Sequence, residues 1–157
     1  MKLLDLLARA CAIAGGVLLT VITLMVCASL VGRNLGGWTM AGDFELTGSA
    51  AGAAIALFMP LAQLWGHNII VDFFSLKASA QARALMDRAG AVLLGAVMAL
   101  MAWRSVIGGL SAWASGSGSM MLGFPEWVVY CAIAPPLALT ALIAWAQAWY
   151  GIRGEMQ

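Results

Sequence analysis

Residues 10–32 read ACAIAGGVLLTVITLMVCASLVG, and Arg9 and Arg33 enclose this run of 23 residues without a single charge inside it. A hydrocarbon core about 30 Å thick is crossed by about 20 residues of helix, so the run is a membrane span. Glu45 and His67 bracket 21 further uncharged residues, and Glu126 and Arg153 bracket 26. The stretch between Arg88 and Glu126 is interrupted only by Arg104. The expected fold is all-α and integral to the membrane: a single domain over residues 1–157 with four transmembrane helices at about 10–32, 46–66, 89–112 and 127–150.

Composition agrees, with 63% hydrophobic and 10% charged residues against about 45–50% and about 25% in soluble domains. A chain of 157 residues has too little interior to hide that much apolar surface from water. The net charge of +1 offers nothing for nucleic acid or an acidic partner. Lys2 and Arg9 precede the first span as they would in a secretory signal. The apolar run is too long for the usual signal core of about 7–15 residues, and Val26 is too bulky for the position before a lipoprotein cysteine at Cys27. A retained signal anchor is expected.

Orientation follows from the basic residues. Lys2 and Arg9 lie before span one, Lys77, Arg83 and Arg88 between spans two and three, and Arg153 after span four, leaving Arg33 and Arg104 for the other side. Positive residues stay on the cytoplasmic face, so both termini are expected inside. Trp38, Trp113 and Trp127 then mark the outer interface and Trp65, Trp145 and Trp149 the inner one.

Span three must tolerate Arg104. Seven Leu, Ile and Val residues between Ala89 and Gly108, at about −0.3 to −0.6 kcal/mol each, offset a central arginine at about +2.5 to +3.5 kcal/mol. Arg104 is expected off centre, near the outer end, where its head snorkels to lipid headgroups or pairs with Glu126 or Glu45. Pro60 in span two and Pro135-Pro136 in span four remove helical donors and are expected to bend or locally open their helices.

The connections differ in kind. Ser115-Gly116-Ser117-Gly118-Ser119 predicts a flexible outer loop that tightens at Gly123-Phe124-Pro125. On the inner side His67-Asn68 leads into Ile69-Ile70-Val71-Asp72-Phe73-Phe74, too short to cross and expected to lie along the interface. From Ser79 the Ala-rich sequence favours helix and is expected to run into span three.

Small residues recur every fourth position: Ala8, Ala12, Gly16 and Thr20 in span one, Gly48, Gly52 and Ala56 in span two, Ala91, Gly95 and Ala99 in span three. Such stripes let helix backbones approach closely, either within the bundle or against a partner subunit. Chemistry is scarce by comparison. His67 alone cannot supply paired haem ligands, and Cys11, Cys27 and Cys131 lack metal or redox spacing and read as small fillers. No catalytic residue, cofactor site or metal site is expected. Spans one, two and four carry no ionisable group inside, so the usual carboxylate of a proton or cation pathway is missing. The charged residues sit instead at span ends, where Arg33, Asp43, Glu45, Arg104 and Glu126 form one rim able to pair. The acidic ones at helix N-termini also suit the helix dipole.

The order Arg33, Gly42-Asp43-Phe44-Glu45-Leu46, Gln63, His67-Asn68-Ile69-Ile70-Val71-Asp72, then Gly123-Phe124-Pro125-Glu126-Trp127 with Tyr130 and Pro135-Pro136, resembles the small membrane subunit of TRAP transporters, the DctQ family. The resemblance covers nearly the whole chain. Asn68 stands between His67 and Ile69, and Asn34 follows Arg33 where the family often has Tyr. The resemblance implies a sodium-driven uptake system of the bacterial inner membrane, most often for organic acids. In it a periplasmic binding protein delivers substrate to this subunit and a large permease subunit of the DctM family. The small subunit would brace the scaffold, with membrane lipids around it. Arg33, Glu45, Gly48, Gly52, His67, Asp72, Arg104 and Glu126 would then be structural or subunit-interface residues. An alternative is a self-sufficient four-helix small-molecule exporter acting as a dimer, which would need an acidic residue within a span. A four-helix membrane oxidoreductase would need paired cysteines.

Overall fold

The computed structural model describes residues 2–37, 42–66 and 80–150. They form four helices: α1 (Lys2–Gly36), α2 (Asp43–Leu64), α3 (Ala80–Ser115) and α4 (Glu126–Tyr150). Each is long and apolar enough to cross a membrane, and α3 runs unbroken from Ala80 into the third span as its composition predicts. The expected interfacial segment, with His67, Asp72 and Lys77, lies outside the described residues, as do Trp38 and Arg153.

The helices are arranged as a row. α1 packs on α2, α2 on α4 and α4 on α3, while α1 meets α4 only marginally. The order across the row is therefore α1, α2, α4, α3, with two central helices and two edge helices. α4 is the most buried of the four and α1 the least. In water such a row would expose an untenable apolar area; in lipid the exposed leucines and valines meet hydrocarbon as apolar as themselves, so helices associate by close packing and hydrogen bonds instead.

The seams show how that packing is achieved. The buried residues of α1 are Ala8, Gly15, Ile22 and Ser29, a spacing of seven that keeps one face toward a neighbour in left-handed packing. This corrects the expected four-residue stripe: Ala8 belongs to the seam, but Thr20 is exposed and a side chain at Gly16 would meet nothing within 4 Å. A four-residue step advances 40° too far around an ideal helix each time, so such a stripe winds off the contact face. At Gly15, by contrast, a Cβ would sit 3.1 Å from Leu57 Cβ and 3.3 Å from the Ala54 carbonyl oxygen. The α3 stripe is an internal seam: Ala91 and Gly95 are buried, and the ring of Trp145 lies directly over Gly95.

α4 continues through Pro135 and Pro136 without interruption, so the expected local opening does not break the helix. The buried Thr140 hydroxyl donates to the Pro136 carbonyl at 2.8 Å.

Two connections meet the row at the end where α3 stops and α4 begins, here called the loop end. The Ser/Gly-rich loop expected to be flexible is hydrogen-bonded throughout. Ser117 N–H donates to the Ala112 carbonyl (3.1 Å) and Gly116 N–H to that of Trp113 (3.3 Å), with Gly116 at φ +64°. These are the paired bonds of a Schellman cap, which needs a left-handed residue at Gly116. Ser119 N–H then donates to the Phe124 carbonyl, Gly123 N–H to that of Ser119, and Glu126 N–H to that of Ser117. Glycine and serine serve here as a cap and as donors rather than as slack.

Candidate functional site

At the loop end polar contacts tie α1 to α2, and the α3–α4 loop to α2 and to α4. Ser29, buried at the last turn of the α1 seam, donates its hydroxyl to Asp43 Oδ2 at 2.7 Å, and Arg33 Nη2 lies 3.9 Å from the same oxygen. The expected pairing of Arg33 thus falls on Asp43, because Ser29 and Arg33 are one turn apart on the side of α1 that faces the start of α2. Glu45 accepts the Met121 N–H on both oxygens at 3.2 Å, which fastens the α3–α4 loop over α2. Leu122 presses on Gly42, where an added Cβ would lie 2.5 Å from Leu122 Cγ; Gly42 also holds φ +81°, so glycine is required there twice over. Glu126 accepts from the Ser117 hydroxyl at 3.2 Å. Glu45, Gly48 and Glu126 border a common cleft of about 360 Å³ with Ser49, Ser119 and Phe124.

The opposite end is held by two side chains. Gln63 on α2 and Gln147 on α4 are both 6% exposed. Gln63 Nε2 donates to Gln147 Oε1 at 2.7 Å, and Gln147 Nε2 donates to the Gln63 carbonyl at 2.9 Å and to that of Leu64 at 3.3 Å. The last two bonds cap carbonyls at the end of α2, where the helical ladder runs out; the Gln63 carbonyl also accepts the Gly66 N–H at 3.2 Å. Gln147 was not singled out from the sequence. The available signal was an amide in an otherwise apolar run, which in lipid must find a partner.

Arg104 stands apart. It is exposed, on the side of α3 turned away from α4, and its guanidinium forms no ion pair or hydrogen bond among the described residues. The expected pairing with Glu126 or Glu45 is therefore not made within the chain. Nor is Arg104 near the outer end of its helix. α3 continues to Ser115, and Trp113 packs edge-on against Trp127 at a centroid separation of 4.7 Å, an aromatic pair of the kind that marks a membrane interface. Arg104 lies nine residues before Trp113, or about 13 Å along the axis. Gly95 faces Trp145 while Gly108 and Gly109 face Tyr130, a register that sets Arg104 level with Pro135 and about 12 Å from Trp127. With Trp113 and Trp127 taken as the interface, both measures put it close to the middle of a core about 30 Å thick.

Gly48 and Gly52 are exposed, and a side chain added at either would meet nothing within 4 Å. Ala56, the third member of that stripe, is buried, so the stripe leaves the packed seam toward the loop end. Cys27 and Cys131 are free and exposed and Cys11 is free and half-buried, so two of the three do not serve as packing fillers. Among the described residues no three His, Cys, Asp or Glu side chains converge to hold a metal.

Residues 22–154 match the family described as Tripartite ATP-independent periplasmic transporters, DctQ component. The chain belongs to the DctQ family. Neither the curated proteins nor the solved structures compared with it gave a match. As a DctQ protein it is a multi-pass membrane component of a TRAP transporter. The polar groups described above suit such a component: they join helix to helix and helix to loop, while Arg104 is turned away from the row.

Proposed function

We propose that this chain is the small subunit of a sodium-coupled TRAP transporter for organic acids in the bacterial inner membrane. It braces the stationary scaffold of the large DctM-family permease subunit while a periplasmic binding protein delivers substrate. The observation that carries this reading is the coincidence of a DctQ match over residues 22–154 with a row of helices whose buried polar side chains are all engaged: Ser29 with Asp43, Gln63 with Gln147, and Thr140 and Gln147 with backbone carbonyls. Ion-coupled transport needs groups free to bind ions and substrate at mid-depth, and all seven acidic residues lie outside residues 10–32, 46–66, 89–112 and 127–150, toward or beyond the helix ends. In this reading both termini are cytoplasmic, the loop end is periplasmic, and lipids cover what the permease does not.

Arg33, Glu45 and Glu126 would hold the periplasmic rim in shape, Gly48 and Gly52 would admit a close-packed helix of the permease, and His67 and Asp72 would act at the cytoplasmic interface. The test is reconstitution in liposomes under a sodium gradient. The chain alone is expected to take up nothing, and the permease with its binding protein to take up substrate only when this subunit is present. Uptake by the chain alone, or undiminished uptake without it, would overturn the proposal. Cysteine labelling tests the orientation: a cysteine at Ser117 is expected to react from the periplasm.

A further inference from the structure

Arg104 and its neighbour Trp103 are both in the wrong place for a lipid-facing surface. Tryptophan favours the headgroup level, yet Trp103 is 66% exposed close to mid-depth. An arginine head can climb by the length of its own side chain, ~7 Å of stem at standard bond lengths. The interface marked by Trp113 and Trp127 is about 12–13 Å away, so snorkelling leaves the guanidinium short of any lipid phosphate. Left unpaired in hydrocarbon it is costly. A second copy of this chain cannot supply the missing anion: Asp5, Asp43, Glu45, Asp72, Asp87, Glu126 and Glu155 are all the acidic residues it has, and none falls within residues 10–32, 46–66, 89–112 or 127–150. Symmetric pairing through α3 would also bring two copies of Arg104 toward each other.

We propose that the outward face of α3 formed by Leu100, Trp103, Arg104 and Ile107 docks on a transmembrane helix of a different protein that presents a carboxylate at mid-depth. On the function proposed above, that protein is the large permease subunit. The face is otherwise apolar, with Leu100 61% and Ile107 40% exposed, and α3 is an edge of the row with only α4 substantially against it. Arginine and tryptophan are the residue types that dominate binding energy at protein interfaces. A buried carboxylate–guanidinium pair fixes both depth and rotation of the docked helix through paired hydrogen bonds.

The experiment places a photoreactive amino acid at Leu100 or Ile107 of the full chain, co-expressed with the permease, and identifies the cross-linked peptide by mass spectrometry. Cross-links to a permease helix carrying Asp or Glu near mid-span are expected. In parallel, Arg104→Ala is expected to lower recovery of the permease complex about tenfold or more while Arg104→Lys retains most of it, and Arg104→Glu combined with a basic residue at the identified carboxylate is expected to restore it. Arg104→Ala should leave the isolated chain about as stable as before, because the side chain is exposed and makes no hydrogen bond or ion pair among the described residues, so a lost complex is not a lost fold. Cross-links found only to lipid or to a second copy, or full recovery of the complex with Arg104→Ala, would overturn the inference while leaving the proposed function intact. A wild-type chain that does not co-purify with the permease at all would instead overturn the function.

Discussion

α3 and α4 are neighbours with almost the same mean hydropathy over their most apolar windows, 1.8 and 1.9, yet 17% of one window is buried and 44% of the other. The difference is position in the row. α4 lies between α2 and α3 and is packed on both flanks, with Ala134, Leu137, Ala141, Ile143 and Ala144 all inside. α3 has one packed flank and offers the rest of its surface to its surroundings. Hydropathy therefore registers that a helix crosses the membrane but not whether protein or lipid lies beside it, because both are apolar. What separates the two flanks is the size and polarity of individual residues: small ones where backbones approach, amides where a buried partner exists, and a charge only on the open flank.

The contrast between packed and open flanks is broken most directly at Gly95. A Cβ there runs into the indole of Trp145, so Gly95→Leu should force α3 and α4 apart and cost about 1–3 kcal/mol, the usual range for overpacking. Thermal unfolding of the purified chain in mild detergent measures it. Leu93→Ala on the same helix, at a position 68% exposed, should change stability by no more than about 0.5 kcal/mol. Equal effects from the two substitutions would mean that α3 is packed on all sides and the row is closed.

A smaller loss is expected at the amide clamp. Gln147→Ala removes the acceptor of one Gln63 Nε2 hydrogen bond and the side-chain donor to the Gln63 and Leu64 carbonyls, of which the Gln63 carbonyl keeps the Gly66 N–H. The cost of an unsatisfied buried group is about 1–3 kcal/mol, and interhelical hydrogen bonds in membranes tend to the lower side, about 0.6–2 kcal/mol. The signature of the clamp is its non-additivity. Gln63→Leu with Gln147→Leu removes both amides and should be less harmful than Gln147→Ala, since it also takes away the buried amide that had donated to Gln147. If the double variant is the worse of the two, the amides contribute volume rather than hydrogen bonding.

Much of this was legible in the sequence, and what was not has a common cause. The spans could be read because charges end them, and Arg33 with an acidic residue of α2 could be expected to meet because both sit at ends that adjacent helices share. The α1 seam could not. In water, the face that packs is also the face that is apolar, so periodicity reveals it; in lipid all faces are apolar, and Ala8-Gly15-Ile22-Ser29 is hidden among residues of similar hydropathy. The place of Arg104 along α3 was not legible for a related reason: the helix runs on to the Schellman cap at Gly116, past Gly108 where the apolar count ends. The ordered α3–α4 loop was missed because Ser and Gly signal a turn equally well whether their donors are used or idle. His67 and Asp72 remain sequence expectations.

The smallest expected effect is the most discriminating, because it contrasts two adjacent glycines. Gly15 faces Leu57, the Ala54 carbonyl and Phe58 within 3.1–3.3 Å, whereas Gly16 faces open space, as do Gly48 and Gly52. Gly15→Leu should destabilise the isolated chain, while Gly16→Leu and Gly52→Leu should leave it within about 0.5 kcal/mol or stabilise it slightly, since leucine is the better helix former by up to about 1 kcal/mol. In the isolated chain, then, Gly52→Leu is silent. In the complex it should not be, if the open Gly48–Gly52 face admits a permease helix: a leucine there holds the two backbones apart and lowers recovery of the complex, with the isolated subunit unharmed. A Gly52→Leu chain that is stable alone and also assembles normally would assign that face to lipid and leave the α3 face around Arg104 to carry the docking.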